Sequence, residues 1–332
     1  MQIEFRTKNA AIRSEIEFFL NEWRSKDSFC VNTSGSTGRP KSISIKKVFA
    51  ESSARKTLDY FNLVEGNKAL FCLSPETIAG KMMLVRAIVG NLKLIVSDIN
   101  STPLESIMEN EKLDLTAMVP LQVDKSLIRD SAKMRNIRNL IIGGAGISEK
   151  LEKEILSFQL KAFHSFGMTE TISHIALRQI DGKKPIYKAL KNTIFSQGKE
   201  GNLIIDSPDI GIHKLETNDL VKLLDENSFL WIGRKDNVIN TGGIKLYPEQ
   251  IETKLNTKQN IFISSLRDET LGNCIILCVE GNSFDLNLFD SLTKFERPKY
   301  IYYFDSFIYT NSNKINRIET TNHLSDARKQ IL

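Results

Sequence analysis

One pattern constrains the fold of this chain more than any other. Up to about residue 230, short apolar runs of strand character alternate with longer segments whose apolar positions recur at helical spacing. "KKVFAESSARKTLDYFN" has helical spacing, "KALFCLSP" is a short buried strand, "AGKMMLVRAIVG" a helix and "NLKLIVSD" a strand. "STPLESIMENEK" is expected as a helix with a Ser/Thr/Pro start, followed by the strand "LTAMVP". "IRNLIIGGAGIS" is a strand running into a glycine turn before the helix "EKLEKEILSF". Strands separated by helices indicate βαβ units and a mostly parallel sheet, hence an α/β fold. After "KAFHSFGMTETISHIALRQI" the strands become shorter and antiparallel in texture. From Arg234 onward a further unit holds "YPEQIETKLN" (helix), "IFISSLRD" and "NCIILCVE" (strands), helical text around Leu286–Leu292 and the strand "YIYYFDSF". The expected organisation is a large domain over residues 1–233 and a small α+β domain over 234–332.

The segment "NTSGSTGRPKSISIKK", Asn32 to Lys47, looks like a phosphate loop. The P-loop pattern G-x-x-x-x-G-K-[ST] finds Gly35, Lys41 and Ser42 in register, but Pro40 occupies the second glycine. Proline has no N–H to donate and fixes φ, so the usual nest of amides cannot form. "KSISIKK" alternates with period two and "SFCV" upstream is strand-like, so the expected geometry is strand, hydroxyl-rich loop, strand. The loop is suited to an anion, but not in a Walker-type enzyme.

Composition excludes several classes. Of the 332 residues 41% are apolar and 26% charged, ordinary for a globular chain, and the net charge is only +5. No Lys/Arg block with interleaved aromatics is present, which argues against nucleic-acid binding, while a mild basic bias suits anionic substrates. The charged start "MQIEFRTKNAAIRSE" has no apolar signal region, and runs such as "AIVGNLKLIV" are too short to span a bilayer. Cys274 and Cys278 are expected as buried free thiols rather than zinc ligands, because no second pair or histidine accompanies them. A cytosolic enzyme is expected.

Five further pieces carry chemistry. "IIGGAG" (Ile141–Gly146) ends a buried strand in glycines that let a ligand approach the backbone. "HSFGMTET" (His164–Thr171) joins an aromatic, a glycine, a hydroxyl and the Glu170 carboxylate, a set able to stack a base, bond a phosphate and bind Mg²⁺. Asp219 is a candidate acceptor for ribose hydroxyls, against the plainer reading of a turn residue. "GRKDNVINTGG" (Gly233–Gly243) supplies an arginine and a glycine pair at the domain junction, and "NSNKINR" puts Lys314 in a polar turn. Taken alone, the glycine pairs are turns and Lys314 is a solvated lysine. No G-x-S-x-G elbow and no triad order emerges from the four histidines.

As an ordered set these pieces resemble the ANL superfamily of adenylate-forming enzymes, which includes acyl-CoA synthetases, peptide-synthetase adenylation domains and luciferases. "TSGSTGRPK" is similar to its phosphate loop, "FGMTET" to its adenine and magnesium motif, "GRKDNVINTGG" to its hinge motif and "NKINR" to its catalytic-lysine motif. The C-terminal motif departs by carrying Asn313 where glycine is usual; asparagine tolerates the left-handed backbone such a turn needs. Only about thirty residues precede the phosphate loop, so a compact version without most of the usual N-terminal subdomain is expected.

The resemblance implies an acid activated by Mg·ATP to an acyl-adenylate and then passed to coenzyme A. Thr33, Ser34, Ser36, Thr37 and Lys41 would hold phosphates, Thr169 the α-phosphate and Glu170 the Mg²⁺. Gly144, Ala145, Phe166 and Gly167 would line the nucleotide, Asp219 and Arg234 the ribose, and Lys314 would bridge carboxylate and α-phosphate. Asp236 would be the hinge, with Gly242 and Gly243 beside the pantetheine path. "IAGKMMLVRAIVG", "MVPLQV" and "HSFGMTETISHIALR" look most like the o-succinylbenzoate–CoA ligase family of menaquinone biosynthesis. That acid has two carboxylates, and the one that does not react needs a cation or donors, for which Lys81, Arg86, His164 and His174 are candidates. Another aryl or fatty acid, a carrier-loading adenylation domain, and a non-catalytic nucleotide-binding relative are the rival readings. A homodimer is left open.

Overall fold

The computed structural model describes residues 1–32, 41–257, 259–310 and 315–332. Its largest element is a twelve-stranded sheet with two halves of different character. Six parallel strands run from one edge in the order Gln2–Phe5, Lys93–Val96, Lys68–Phe71, Leu115–Met118, Leu140–Ile142 and Ala162–Gly167. From Ala162–Gly167 onward every pairing is antiparallel, through His174–Gln179, Ile186–Ala189, Ser228–Arg234, Ile212–Asp225 and Asn202–Ser207 to Ile194–Gln197.

The sequence explains the division. Leu115–Met118 and Leu140–Ile142 are apolar or small throughout and buried at every position, as strands covered on both faces must be. Alternate residues of Lys68–Phe71 enter two different cores. Ala69 and Phe71 face the helices Lys47–Phe61 and Ile78–Val89, whereas Leu70 and Cys72 share a core with Val123, Leu127, Leu151 and Ile155 of the helices Pro120–Arg129 and Glu149–Ser157. Ile212–Asp225 instead mixes buried and exposed positions, since one of its faces meets water.

The strands Ser28–Asn32 and Ser42–Lys46 pair antiparallel, with Asn32 opposite Ser42. The two expected strands thus form, while residues 33–40, where the loop is expected, lie outside the described ones. The expected helix over "STPLESIMENEK" does not form; the segment is a series of turns. Asn100 Oδ1 takes the Thr102 N–H at 2.8 Å, the Thr102 hydroxyl donates to Glu105 at 2.9 Å, and Lys133 Nζ donates to the Leu104 carbonyl. Side chains here capture groups a helix would have used, while Leu104 and Ile107 are buried.

The C-terminal unit holds a four-stranded sheet in the order Ile261–Asp268, Gly272–Glu280, Tyr300–Phe304, Arg328–Ile331. Helix Pro248–Leu255 packs on it through Ile251 and Leu255. The helical text near Leu286 forms a 3₁₀ segment, Leu286–Ser291. Cys72, Cys274 and Cys278 are buried free thiols, and Cys30 is exposed. Among the described residues no helix is long and apolar enough to cross a membrane.

Candidate active site

The candidate site lies where the parallel half of the sheet ends, at the C-terminal tips of Leu140–Ile142 and Ala162–Gly167. Open α/β sheets bind ligands at this edge. Gly143 and Gly144 follow the first tip. A Cβ on Gly143 would stand 2.4 Å from the Ser165 hydroxyl, and Gly144 has a φ of +86°. A Cβ on Gly167 would lie 2.2 Å from the Ser173 carbonyl oxygen, so only glycine permits this turn to close. Phe166 packs edge-on against Tyr187 and Phe229. The short turn Thr169–Thr171 is fixed by the buried Thr171 hydroxyl, which accepts from the Met168 N–H at 2.8 Å. Ile172 then takes a φ of 64°, strained for a β-branched residue.

Glu170 is exposed on this turn and makes no hydrogen bond or ion pair with another described residue. An uncommitted carboxylate beside the Thr169 hydroxyl is a hard-oxygen donor set that fits Mg²⁺. Among the described residues no group of three or more His, Cys, Asp or Glu could form an all-protein cage. The exposed carboxylate and hydroxyl fit an ion whose other ligands are a nucleotide's phosphates.

Behind the turn is a buried cation. Arg86 is 2% exposed; its Nε donates to Thr57 Oγ1 at 3.1 Å and its Nη2 to Ser173 Oγ at 2.8 Å. The same Nη2 lies 3.4 Å from His174 Nδ1. A guanidinium can only donate, so Nδ1 carries the lone pair, and the imidazole proton sits on Nε2, facing Thr57 Oγ1 at 3.1 Å. Burial, then the charge on Arg86, holds His174 well below its ordinary pKa. Burial also lowers Arg86 to about 9, which leaves it cationic at neutral pH. Among the described residues no carboxylate pairs with Arg86.

His164 occupies a second buried polar site. Its Nε2 is 3.0 Å from the Ala145 carbonyl and its Nδ1 2.6 Å from the Tyr187 hydroxyl. The carbonyl can only accept, so Nε2 bears the proton and Tyr187 donates to Nδ1. Arg178 lies 5.8 Å over the Tyr187 ring and bonds Glu152 at 2.5 Å, on the helix that follows the glycine loop. Burial lowers His164 to about 4.

Asp219 stands opposite Arg234 in neighbouring strands. It accepts from Trp231 Nε1 at 2.9 Å and lies 3.6 Å from the Arg234 guanidinium; burial raises its pKa, opposed by both partners. Arg234 also bonds Asp236 at 2.9 Å, and Asn218 holds Asp236 from the large sheet. Gly242 and Gly243, with φ of +52° and +82°, form the two-residue turn between Ile239–Thr241 and Ile244–Leu246. Lys81 stands apart from the Arg86 cluster, 4.9 Å over the Phe19 ring. Lys41 is exposed. Thr33, Ser34, Ser36, Thr37 and Lys314 lie outside the described residues. Thr57, Ser173 and Tyr187 were not singled out from the sequence, yet they hold the two buried histidines and Arg86.

The AMP-binding enzyme family model matches residues 19–199. The chain therefore belongs to the AMP-binding enzyme family. A solved acyl-CoA synthetase (AMP-forming)/AMP-acid ligase II-like protein from Dyadobacter fermentans is 30% identical, with 96% of each chain covered and a TM-score of 0.64. The o-succinylbenzoate coenzyme A synthetase of Bacillus subtilis, solved with the acyl-adenylate intermediate, shares the fold at a TM-score of 0.78, with 21% identity over 91% of this chain and 70% of that one. A 2-succinylbenzoate–CoA ligase of Lactococcus lactis is 24% identical over 87% of this chain and 69% of its own length. One from Staphylococcus aureus (strain MSSA476) is 25% identical over 86% of this chain. The chain spans 65% of the length of that protein. The architecture is the α/β adenylate-forming fold, a large sheet domain followed by a smaller C-terminal sheet domain.

Proposed function

We propose that this chain is an o-succinylbenzoate–CoA ligase. It would join the acid to ATP, giving acyl-adenylate and pyrophosphate, and then pass the acyl group to coenzyme A with release of AMP. The observation that carries the substrate choice is Arg86, a buried cation with three neutral partners and, among the described residues, no carboxylate. Such a charge is costly unless an anion arrives, and the idle carboxylate of a dicarboxylic acid supplies one. His174 and Ser173 beside it orient the guanidinium. The names of the relatives point to the same acid.

In the first step a carboxylate oxygen attacks the α-phosphorus and the bond to pyrophosphate breaks. Charge gathers on phosphoryl oxygens, so fixed donors and cations would do the work. Thr33, Ser34, Ser36, Thr37 and Lys41 hold the outer phosphates, Thr169 the α-phosphate, and Asp219 with Arg234 the ribose. Gly144, Ala145, Phe166 and Gly167 line the nucleotide, with His164 bracing the Ala145 carbonyl. Glu170 holds Mg²⁺, which when bound neutralises phosphate charge. Lys314 bridges carboxylate and α-phosphate. In the second step the CoA sulfur attacks the acyl carbon and AMP leaves. Residues 234–332 turn about Asp236 as a lid, bringing Gly242 and Gly243 to the pantetheine path. The protein works in the cytosol on small molecules.

The test is ATP–pyrophosphate exchange with o-succinylbenzoate and a panel of aryl and fatty acids, then CoA-thioester formation. Lys314→Ala should lose exchange by several kcal/mol of transition-state stabilisation, on the order of a thousand-fold, yet still form thioester from pre-made acyl-adenylate. Exchange at the wild-type rate would refute the lysine's role. Exchange driven by fatty acids alone would replace the substrate.

A further inference from the structure

We propose that Glu252, acting through Arg317, is a positioning residue that sets where Lys314 stands during adenylation. The inference rests on the reading of Lys314 given above. Arg317 lies three residues after that lysine and begins the helix Arg317–Asn322. Six residues are too few for a helix to hold its own place, so tertiary contacts must do it. The strongest is a fork: Arg317 Nη1 and Nη2 each meet one oxygen of Glu252 at 2.7 Å. Glu252 Oε1 also accepts the Ile263 N–H at 2.7 Å, and Arg317 lies over the Phe262 ring.

The other side of the segment is anchored as firmly. Tyr309 bridges Ile315, and the Asn316 N–H donates to the Ile308 carbonyl at 2.8 Å. Glu280 accepts the Phe307 N–H and the Tyr309 hydroxyl, each at 2.8 Å. The chain therefore enters and leaves residues 311–314 at fixed points.

Glu252 is the more informative anchor because of its helix. One turn earlier on Pro248–Leu255, Glu249 bonds Asn237 at 2.5 Å. A Cβ on Gly233 would come within 2.7 Å of Glu249 Oε2. Two carboxylates one helical turn apart thus join the Gly233–Asn237 junction, beside Asp219 and Arg234, to the last residue of the lysine motif. The helix is a strut that relates Arg317 to the Gly233–Asn237 junction. A displacement of about 1 Å in a reacting group can cost on the order of a hundred-fold in rate.

Glu252→Gln keeps the shape and removes the charge, and Arg317→Lys keeps the charge and removes the fork. Each is assayed with o-succinylbenzoate for ATP–pyrophosphate exchange, and with o-succinylbenzoyl-adenylate for thioester formation. The expected result is a drop of about ten-fold or more in the exchange kcat, with KM for ATP and thioester formation within about two-fold of wild type. Equal losses in both half-reactions, or unchanged exchange in a folded variant, overturn the proposal. If Glu252→Gln does not fold, Arg317→Lys carries the same comparison. Lys314→Ala is run in parallel. If it exchanges normally, the lysine reading fails and takes this role with it. If it loses exchange while the Glu252 and Arg317 variants do not, only the positioning role is lost.

Discussion

Arg86 and Arg317 are both guanidiniums drawn largely out of water, and they are satisfied in different ways. Arg317 meets a carboxylate through two bonds of 2.7 Å. Arg86 meets a threonine, a serine and a neutral histidine. The difference is not a habit of the large domain, where the buried Lys56 pairs with Asp209 at 2.8 Å and Arg6 with Glu111 at 2.5 Å. It is particular to Arg86, since Arg178, near the same strand ends, bonds Glu152 at 2.5 Å. Under the proposed function this is expected: a lid that moves as a body would keep its charges paired internally, whereas a site for an anion would leave a cation waiting.

The two regions should therefore fail differently, and acid should act most on the region of the buried histidines. His164 is held near 4 by burial, against an ordinary value near 6.5, and His174 is lowered as well. As pH falls below 6.5 the unfolded chain takes up protons that the folded chain refuses, so stability falls until about pH 4. Each pH unit between the unfolded and folded pKa is worth about 1.4 kcal/mol, so His164 alone should contribute a loss on the order of 3 kcal/mol. Urea titrations between pH 7 and pH 4.5 measure this, and His164→Gln should flatten the slope. An unchanged slope would mean that His164 is not buried as neutral imidazole.

Next come the two arginine sites. Glu252→Gln should cost about 1.5–3 kcal/mol, the usual loss for a charged hydrogen-bonding partner. Its side chain is 15% exposed and that of Arg317 is 28%, so water repays part of the loss and the lower end is expected. Arg86→Met should leave the stability of the ligand-free protein within about 1 kcal/mol or raise it, because an uncompensated buried charge disappears. Thermal melts of both variants make the comparison. A large destabilisation by Arg86→Met would make that arginine a structural tie between the Lys47–Phe61 helix and the strand His174–Gln179.

Much of this was legible in the chain. The parallel half announced itself through continuous apolar runs, and Gly167 stood in a motif whose backbone leaves no room for a Cβ. The polar ring around Arg86 was only half legible. His174 was visible as a rare titratable residue, but Thr57 sits within the Lys47–Phe61 helix, where a hydroxyl ordinarily bonds the preceding turn, and it also lies 3.4 Å from the Ser53 carbonyl. Nothing local distinguishes the two uses. Helix geometry alone separates Lys81 from Arg86. Five residues on a helix turn through roughly 140° from each other's face, so the two could not both reach one carboxylate. The segment 101–112 misled because Ser, Thr and Pro open helices and turns alike.

If Arg86 waits for the second carboxylate of the acid, substrate preference must follow that charge. The direct measurement is kcat/KM in ATP–pyrophosphate exchange for o-succinylbenzoate and for the two monoacid analogues that each lack one carboxylate, in the wild type and in Arg86→Ala. The variant should raise KM for o-succinylbenzoate about ten-fold to a hundred-fold, the loss of a charged partner worth about 1.5–3 kcal/mol. KM for ATP should stay nearly constant, and the analogue that keeps only the reacting carboxylate should not notice the change. If that monoacid matches o-succinylbenzoate in the wild type, or if Arg86→Ala weakens both acids equally, Arg86 does not select the substrate.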